Sequence, residues 1–384
     1  MVQSVVTAPF LFTKVTQPHL RSAKSVIYSK QEQHKFRTIF DMETEIIYAE
    51  EEDSNEAVAR AIELLKDGEI VALPTETVYG LGANALDPAA VAKVFEAKER
   101  PSFDPLIIHI ATREQIHDYC DISPELDKVV QQLIQAFWPG PLTMVLPKKD
   151  IIPDIVTSGK DTVAVRMSAH PIMQEICRIF RDPIAAPSAN KFGRISPTTA
   201  SAVESELSGK IPLIVDGGAC NDGLESTIIR VVAAKDADSR PELHLLRAGP
   251  VAKEDLQEFG KVIRPKKLSK RALKELEEKA AQGMEAPGML GSHYAPNTPL
   301  YIFDKPEDFI PEEGKTYGLL SYRGDEKDGY MDLHDWEVIE ELSPGKGKLG
   351  EAAVRLFHML RKLDESGVDA IVAETVAETG LGVA

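Results

Sequence analysis

The sequence predicts an α/β protein: a three-layer domain with a twisted mixed sheet over residues 50–260, and a smaller βα domain from residue 298 onward. Three observations carry this. Stretches with helical periodicity alternate with short apolar runs of strand length. Some of those runs follow one another with only a turn between them, as hairpins do, so the sheet is mixed and not purely parallel. The composition, 43% hydrophobic and 27% charged, is that of an ordinary globular chain with ample material for a core.

The elements follow in order. "SNEAVARAIELLKD" (54–67) places Ala57, Val58, Ile62 and Leu65 on one helical stripe, with Ser54 as its cap and Gly68 as its stop. "EIVALPTET" reads as a short buried strand broken by Pro74. "DPAAVAKVFEAKE" is a helix with Asp87 at the N-cap and Pro88 in the first turn, where its missing N–H costs nothing. "PLIIHIA" is a strand, "PELDKVVQQLIQAFW" a helix ended by Pro139-Gly140, and "PLTMVLPK" and "TVAVRMS" are strands. The alternation then repeats: "HPIMQEICRIF" helical, "DPIAAPSAN" a strand running into a loop, "TTASAVESELSG" helical, and "IPLIVDGG", "ESTIIRVVA" and "ELHLLRAG" strands. Residues 261–297 change character, from the charged helical "RPKKLSKRALKELEEKAAQG" to the loop-like "MEAPGMLGSHYAPN", and read as an interdomain linker. Beyond it, "TPLYIF", "YGLLSY", "WEVIEEL", the helical "LGEAAVRLFHMLRKLDESG" and "DAIVAETV" form the βα tail. Its last strand and Gly turn fall at the end of the sequence, so this domain is expected to lack a terminal helix.

The formal net charge of −17 repels polyanions at long range. Broad nucleic-acid binding is therefore not expected, and any phosphate site must be a local concentration of Lys and Arg. Cys120, Cys177 and Cys220 are far apart, odd in number and without C-x-x-C spacing, which suits a reducing compartment and a role as small buried hydrophobes. No run of roughly 18 apolar residues predicts a membrane span. The first 45 residues stand apart. Lys14, Arg21, Lys24, Lys30, Lys35 and Arg37 face a single acid, Glu32, within the first 40 residues, and Ser and Thr are frequent. This is the composition of a transit segment or a disordered leader, and leaves a cytosolic, a mitochondrial or a dual location open.

Several stretches carry candidate chemistry. "LPTETVYGLGANALDP" contains Gly80-x-Gly82-x-x-Ala85, which fits a dinucleotide-binding turn, but the expected strand tip and the later acidic residue on a second strand are missing. Its alternative is a set of hydroxyls, Thr75, Thr77 and Tyr79, just past a strand end; a turn whose hydroxyls bond only backbone is the third reading. Lys98 and Arg100 end a helix before Pro101, where two cations can converge on phosphates or merely compensate the helix dipole. Ser188, Asn190, Arg194 and Ser196 crowd one Gly/Pro-bent loop, Ser226 and Thr227 enter a strand, and Arg247 ends one. Thr162, Ala164 and Arg166 share a strand face by period-two alternation. His109 on "LIIHIA" reads as a core histidine or a ligand-binding one. No phosphate-binding G-x-x-x-x-G-K-[ST] occurs, since Phe309 stands where Gly314-Lys315-Thr316 would need its upstream glycine, and neither H-E-x-x-H nor G-x-S-x-G is present.

Taken together, "PTETVYGLGANA", "KERPSFDPL", "APSAN", "ESTI", "LRAG" and "GSHYAP" resemble, in order, the YrdC-like threonylcarbamoyl-AMP synthase family, over about residues 50–300. The βα tail resembles the extra C-terminal, Rossmann-like domain of its longer members. The resemblance implies the YrdC/RibB fold around a basic cavity, and condensation of L-threonine, bicarbonate and ATP into L-threonylcarbamoyladenylate with release of pyrophosphate, aided by Mg²⁺. The product would pass to a tRNA threonylcarbamoyl-transferase complex for modification of adenosine-37, without direct tRNA binding being required. By matching positions, Thr75, His109, Arg166, Ala186 and Ser226 would hold threonine. Lys98, Arg100, Ser102, Thr162, Ser188, Asn190, Ser196 and Arg247 would hold ATP, with Tyr294 of the linker closing over it as a lid. No covalent nucleophile is implied. The longer members continue into a basic terminal helix, whereas this sequence stops at "GLGVA". The competing functions are a non-catalytic RNA-binding or regulatory module of the same fold, and an NAD-dependent enzyme using Gly80-x-Gly82.

Overall fold

The structure is a computed structural model and describes residues 43–49, 54–234, 236, 239–264, 295–303 and 305–384. The expected transit segment, the linker helix and the Tyr294 lid lie outside these residues, as does the Ser54 side chain.

Eleven strands form one mixed sheet. In chain order they are β1 (Glu45–Tyr48), β2 (Val71–Leu73), β3 (Gly80–Asn84), β4 (Ile107–His109), β5 (Leu142–Pro147), β6 (Thr162–Arg166), β7 (Ile184–Ala185), β8 (Leu213–Asp216), β9 (Thr227–Val232), β10 (Glu242–Arg247) and β11 (Lys261–Ile263). Their order across the sheet is β1-β8-β2-β3-β7-β4-β6-β5-β9-β10-β11. β2 and β3 are antiparallel neighbours, as are β5 and β6, while β4 and β6 run parallel. The mixed sheet expected from the sequence is therefore present. β1 and β3 were not expected, and β11 adds a parallel strand beside β10. β1 escapes a pattern reading because only half its residues turn inward.

Helices cover the sheet on both faces of its first half. α1 (Ser54–Lys66) packs its stripe of Ala57, Val58, Ala61, Ile62 and Leu65 with Val71, Leu73, Leu213 and Val215 and with Ile172 and Ile176 of a later helix, Pro171–Phe180. α2 (Pro88–Lys98) lies on the opposite face, started by Asp87, whose carboxylate accepts from Ala89 N, and ended by Glu99 in the left-handed conformation at φ 54°. α3 (Pro124–Phe137) is capped by Ser123 and buries Leu126, Val129, Val130, Leu133 and Ile134. Each such side chain contributes about 1.5–3 kcal/mol of burial free energy. That helix packs with Leu142, Met144, Val163, Val165, Ile229 and Leu243. These are the alternate residues of β5, β6, β9 and β10, so their partners point the other way. On that other face Ile107, Val145, Ala164 and Ile228 form only a small apolar patch. This half of the sheet supplies the floor of the site.

The second sheet is wholly parallel: β12 (Leu300–Ile302), β13 (Tyr317–Ser321), β14 (Val338–Glu341) and β15 (Ala370–Ala373), in the order β12-β15-β13-β14. One face holds an aromatic cluster of Phe309, Tyr317, Tyr330 and Trp336. The other packs on α4 (Leu349–Glu365) through Leu320, Phe357, Leu360 and Leu363. Val78 and Ile195 of the first domain are buried in that same cluster.

Candidate functional site

One row of the large sheet carries the site. His109 lies beside Arg166 across β4 and β6. Val165 pairs with Met144, which sets Arg166 beside Thr143. Thr143 lies beside Ile228, and Ile228 beside Arg247. Arg166 and Arg247 are thus three strands apart, about 14 Å at ~4.8 Å per strand. A β-bulge between Leu245 and Arg247 interrupts the pairing of β10 with β9; such a bulge re-aims the side chain that follows it.

The loop between β2 and β3 builds the first wall. Thr75 Oγ1 donates to Val78 O at 2.6 Å and accepts from Thr77 N at 3.1 Å, winding the loop on itself. All three of Thr75, Glu76 and Thr77 are buried. Arg166 is locked to this loop: Nη2 lies 2.7 Å from Glu76 Oε1, and Nη1 donates to Thr77 Oγ1 at 2.9 Å. The second Glu76 oxygen accepts from Ser168 Oγ. Burial by itself pushes the Glu76 carboxyl up, but the Arg166 charge and the Ser168 and Ala169 hydrogen bonds outweigh it and hold it well below the usual carboxylate range. Beside this pair, burial first and then the Arg166 charge push the His109 imidazole down to about 3. His109 is neutral at neutral pH, and its buried Nδ1 has no hydrogen-bond partner among the described residues. It lines the cavity as a neutral polar group and not as a cation.

The second wall centres on Ser226. Its hydroxyl lies 2.8 Å from Thr143 Oγ1 and accepts from Arg247 Nη2 at 2.9 Å, while Arg247 Nε donates to Ser226 O at 3.0 Å. Arg247 Nη2 is 3.5 Å from Glu225 Oε2, and Ser196 Oγ donates to Glu225 Oε1 at 2.7 Å. The third wall is the segment Ala186–Ser188, bridged to Gly80. A Cβ at Gly80 would come within 3.1 Å of Ala186 Cβ, and one at Gly82 within 3.0 Å of Ile184 Cγ2. The glycines of the opening motif therefore let two strands approach. They lie inside strand β3, paired on both sides, and not in the turn that leads to helix α2 at Pro88, which overturns the dinucleotide-turn reading.

Thr75, Arg100, His109, Arg166, Ala186, Ser188, Ser226 and Arg247 converge on one cavity. The other candidates stand around it. Lys98 is fully buried behind the third wall, its ammonium donating to the carbonyls of Ser188 and Asn190. Burial and then the neighbouring Arg100 push that ammonium down to about 7, with Glu225, Glu206 and Asp104 partly opposing. Arg100 lines the cavity but is already held by Asp104 at 2.9 Å and by Pro105 O at 2.9 Å. Asn190 Nδ2 donates to Lys191 O and Arg194 O, bracing its own loop. Ser196 reaches the cavity only through Glu225. Ser102 is exposed, and Thr162 sits at the far end of β6 from Arg166; neither lines the cavity. Thr77 was read from the sequence as one of a set of hydroxyls, but Glu76 and Glu225 were not given a role. Their signal was available in "TET" and "EST": a carboxylate flanked by hydroxyl residues, in a chain offering buried arginines that require one.

The carboxylates at this cavity offer Mg²⁺ no place of its own. Glu76 and Glu225 are both engaged by arginines, and among the described residues no group of His, Cys, Asp and Glu is arranged to hold a metal ion. What the cavity does offer is a guanidinium near each end and hydroxyls between them, the equipment for a ligand with two separated anionic groups.

The fold and this site define an α/β protein with an enclosed, anion-seeking cavity on a half-open mixed sheet. Residues 63–249 match the Sua5–YciO–YrdC family, described as "Telomere recombination", and residues 251–384 match the "Threonylcarbamoyl-AMP synthase, C-terminal domain" family. The Threonylcarbamoyl-AMP synthase of Pyrococcus abyssi is 41% identical over 331 residues, covering 83% of this chain and 89% of that one. That of Bacillus subtilis is 41% identical over 335 residues, covering 85% and 90%. A crystal structure of P. abyssi Sua5 complexed with L-threonine superposes with a TM-score of 0.73 at 38% identity, covering 88% of this chain and 95% of that one. The chain belongs to the threonylcarbamoyl-AMP synthase family.

Proposed function

We propose that this protein condenses L-threonine, bicarbonate and ATP into L-threonylcarbamoyladenylate and releases pyrophosphate. One observation carries the reading: a single row of the sheet, from His109 through Arg166 and Thr143 to Arg247, brings two arginines whose backbone positions lie three strands apart, about 14 Å, onto one cavity. The Arg166 end is dry and rigid. It suits the amino acid, whose carboxylate would meet Arg166 while Thr75, His109, Ala186 and Ser226 surround its amine and hydroxyl. The Arg247 end suits the nucleotide, with Ser188 beside it and Lys98, Arg100, Asn190 and Ser196 holding the surrounding loop. Ser102 and Thr162 would join it only after movement of their segments, and Tyr294 would close over it.

The chemistry then needs three events. The neutral threonine amine forms a C–N bond to the bicarbonate carbon while a bicarbonate C–O bond breaks and water leaves, giving a carbamate. A carbamate oxygen attacks the α-phosphorus, and the bond to pyrophosphate breaks in line. The arginines stabilise charge that develops on the phosphates. Mg²⁺ would arrive on the triphosphate as part of the substrate. The product would serve a transferase acting on tRNA. No described helix is long and apolar enough to cross a membrane, and we place the protein in the cytosol, with mitochondrial residence if residues 1–45 act as a transit segment.

The test is pyrophosphate release from ATP by purified protein with and without L-threonine and bicarbonate, in wild type and Lys98→Ala. Release that depends on both, and falls in the variant, supports the reading. Equal release without threonine overturns it, and salt-dependent RNA retention without turnover would support the regulatory-module alternative.

A further inference from the structure

We propose that Arg361, on helix α4 of the second domain, is a positioning residue for the nucleotide end of the cavity. The inference rests on the proposed ATP site and assigns the second domain a part in it.

The Arg361 side chain is largely buried at the junction of the two domains. Its Nη1 lies 2.8 Å from Glu206 Oε1, and its Nη2 donates to Ile195 O at 2.8 Å. Glu206 in turn accepts from Lys191 N at 2.9 Å through its other oxygen. The guanidinium and this carboxylate therefore grip the 191–195 loop at both ends. The next residue, Ser196, donates to Glu225, and Glu225 pairs with Arg247. Three successive contacts connect the second domain to a guanidinium that lines the cavity.

Packing runs along the same route. Ile195 and the cavity-lining Val78 are buried among Leu320, Leu342, Phe357 and Leu360 of the second domain. Helix α4 also lies against Gly223, where an added Cβ would come 2.3 Å from Val354 Cα, so the segment leading to Glu225 is pressed onto this helix. Glu225 and Arg247 line both the site and the apolar groove between the domains. A guanidinium can hold Glu206 and the Ile195 carbonyl at once because its donors are fixed in a fork. Without it, Ser196 and Glu225 lose their register against Arg247. The Arg166 end is held by Glu76 and Thr77 of the first domain and does not depend on Arg361.

The test compares Arg361→Met, Arg361→Lys, Ser196→Ala and the double variant Arg361→Met/Ser196→Ala with wild type, in full-length protein. Val372→Ala, which trims the aromatic-side core of the second domain's sheet, outside the cluster that holds Ile195 and Val78, controls for general loosening. ATP affinity is measured by calorimetry, and KM for ATP and for threonine by pyrophosphate release. The expected result is about a tenfold weaker Kd and higher KM for ATP in Arg361→Met, threonine KM within twofold, partial recovery in Arg361→Lys, and no further loss in the double variant. Val372→Ala should lower Tm and leave both constants within twofold. ATP affinity within twofold of wild type in Arg361→Met would overturn the proposal, as would equal rises in both KM values or additive losses in the double variant. Wild-type protein that fails to bind ATP would instead overturn the proposed function, and this inference with it.

Discussion

The two arginines at the ends of the site row are held in opposite ways. Arg166 is 3% exposed and clasped by Glu76 at 2.7 Å, with Thr77 and Gly140 taking further donors. Arg247 is more open and lies 3.5 Å from Glu225, which divides its acceptors between Arg247 and Ser196. A dry, short pair is costly to break, because each charge left alone has no water to turn to. A longer pair whose carboxylate is shared with a second donor can exchange that carboxylate for a phosphate more readily. One end of the cavity is therefore preorganised for a ligand of fixed shape, and the other is free to receive and release a charged group in each turnover.

Four experiments break or sharpen this contrast. Glu76→Ala should have the largest effect, a loss of roughly 3–5 kcal/mol of stability from stranding the buried Arg166 charge; a urea midpoint equal to wild type would show that the pair is not the lock described. Thr77→Val removes the acceptor for Arg166 Nη1 and should cost about 1–3 kcal/mol, with threonine KM raised and ATP affinity unchanged. Arg247→Ala should behave inversely, with a stability loss smaller than that of Glu76→Ala and ATP affinity lowered about tenfold; a stability loss as large as that of Glu76→Ala would erase the distinction between the two ends. The smallest effect is expected from His109→Gln. Burial lowers the folded pKa of His109 to about 3 from its ordinary value of 6.5, so only the unfolded chain gains its proton as pH falls below 6.5. His109 stability is full above pH 6.5 and is lost as pH falls from there towards 3. The variant should lose about 1 kcal/mol less than wild type between pH 6.5 and 5.5, against a limit of about 1.4 kcal/mol per unit. Asp222, pushed up to about 6 by burial and by Glu76, works in the opposite direction but is common to both proteins and cancels in the difference.

The helices were legible because each signal is local. The apolar stripe of residues 54–66, the Asp87 cap with Pro88, and the Ser123 cap before Pro124 all sit within a few residues of the element they start. Strand β3 was not legible. "GLGAN" has no β-branched residue and two glycines, and it is a strand only because Leu73 and Ala185 supply neighbours on either side. Arg166 and Arg247 were both identified from sequence, but their different settings were not. Glu76 and Glu225 reach them from other segments, and charge alone does not say which acid will meet which base.

The sequence by itself determined the fold class, the helical layers and the set of polar residues from which the site is made, since periodicity, caps and the order of short polar stretches are properties of neighbouring residues. Only the tertiary structure decided that His109, Arg166, Thr143, Ile228 and Arg247 share one row, that Lys98 braces a wall, and that Arg361 reaches in from the second domain. Strand register and domain docking are fixed by contacts between segments far apart in the chain, and a shift of one residue would turn the row's side chains to the opposite face.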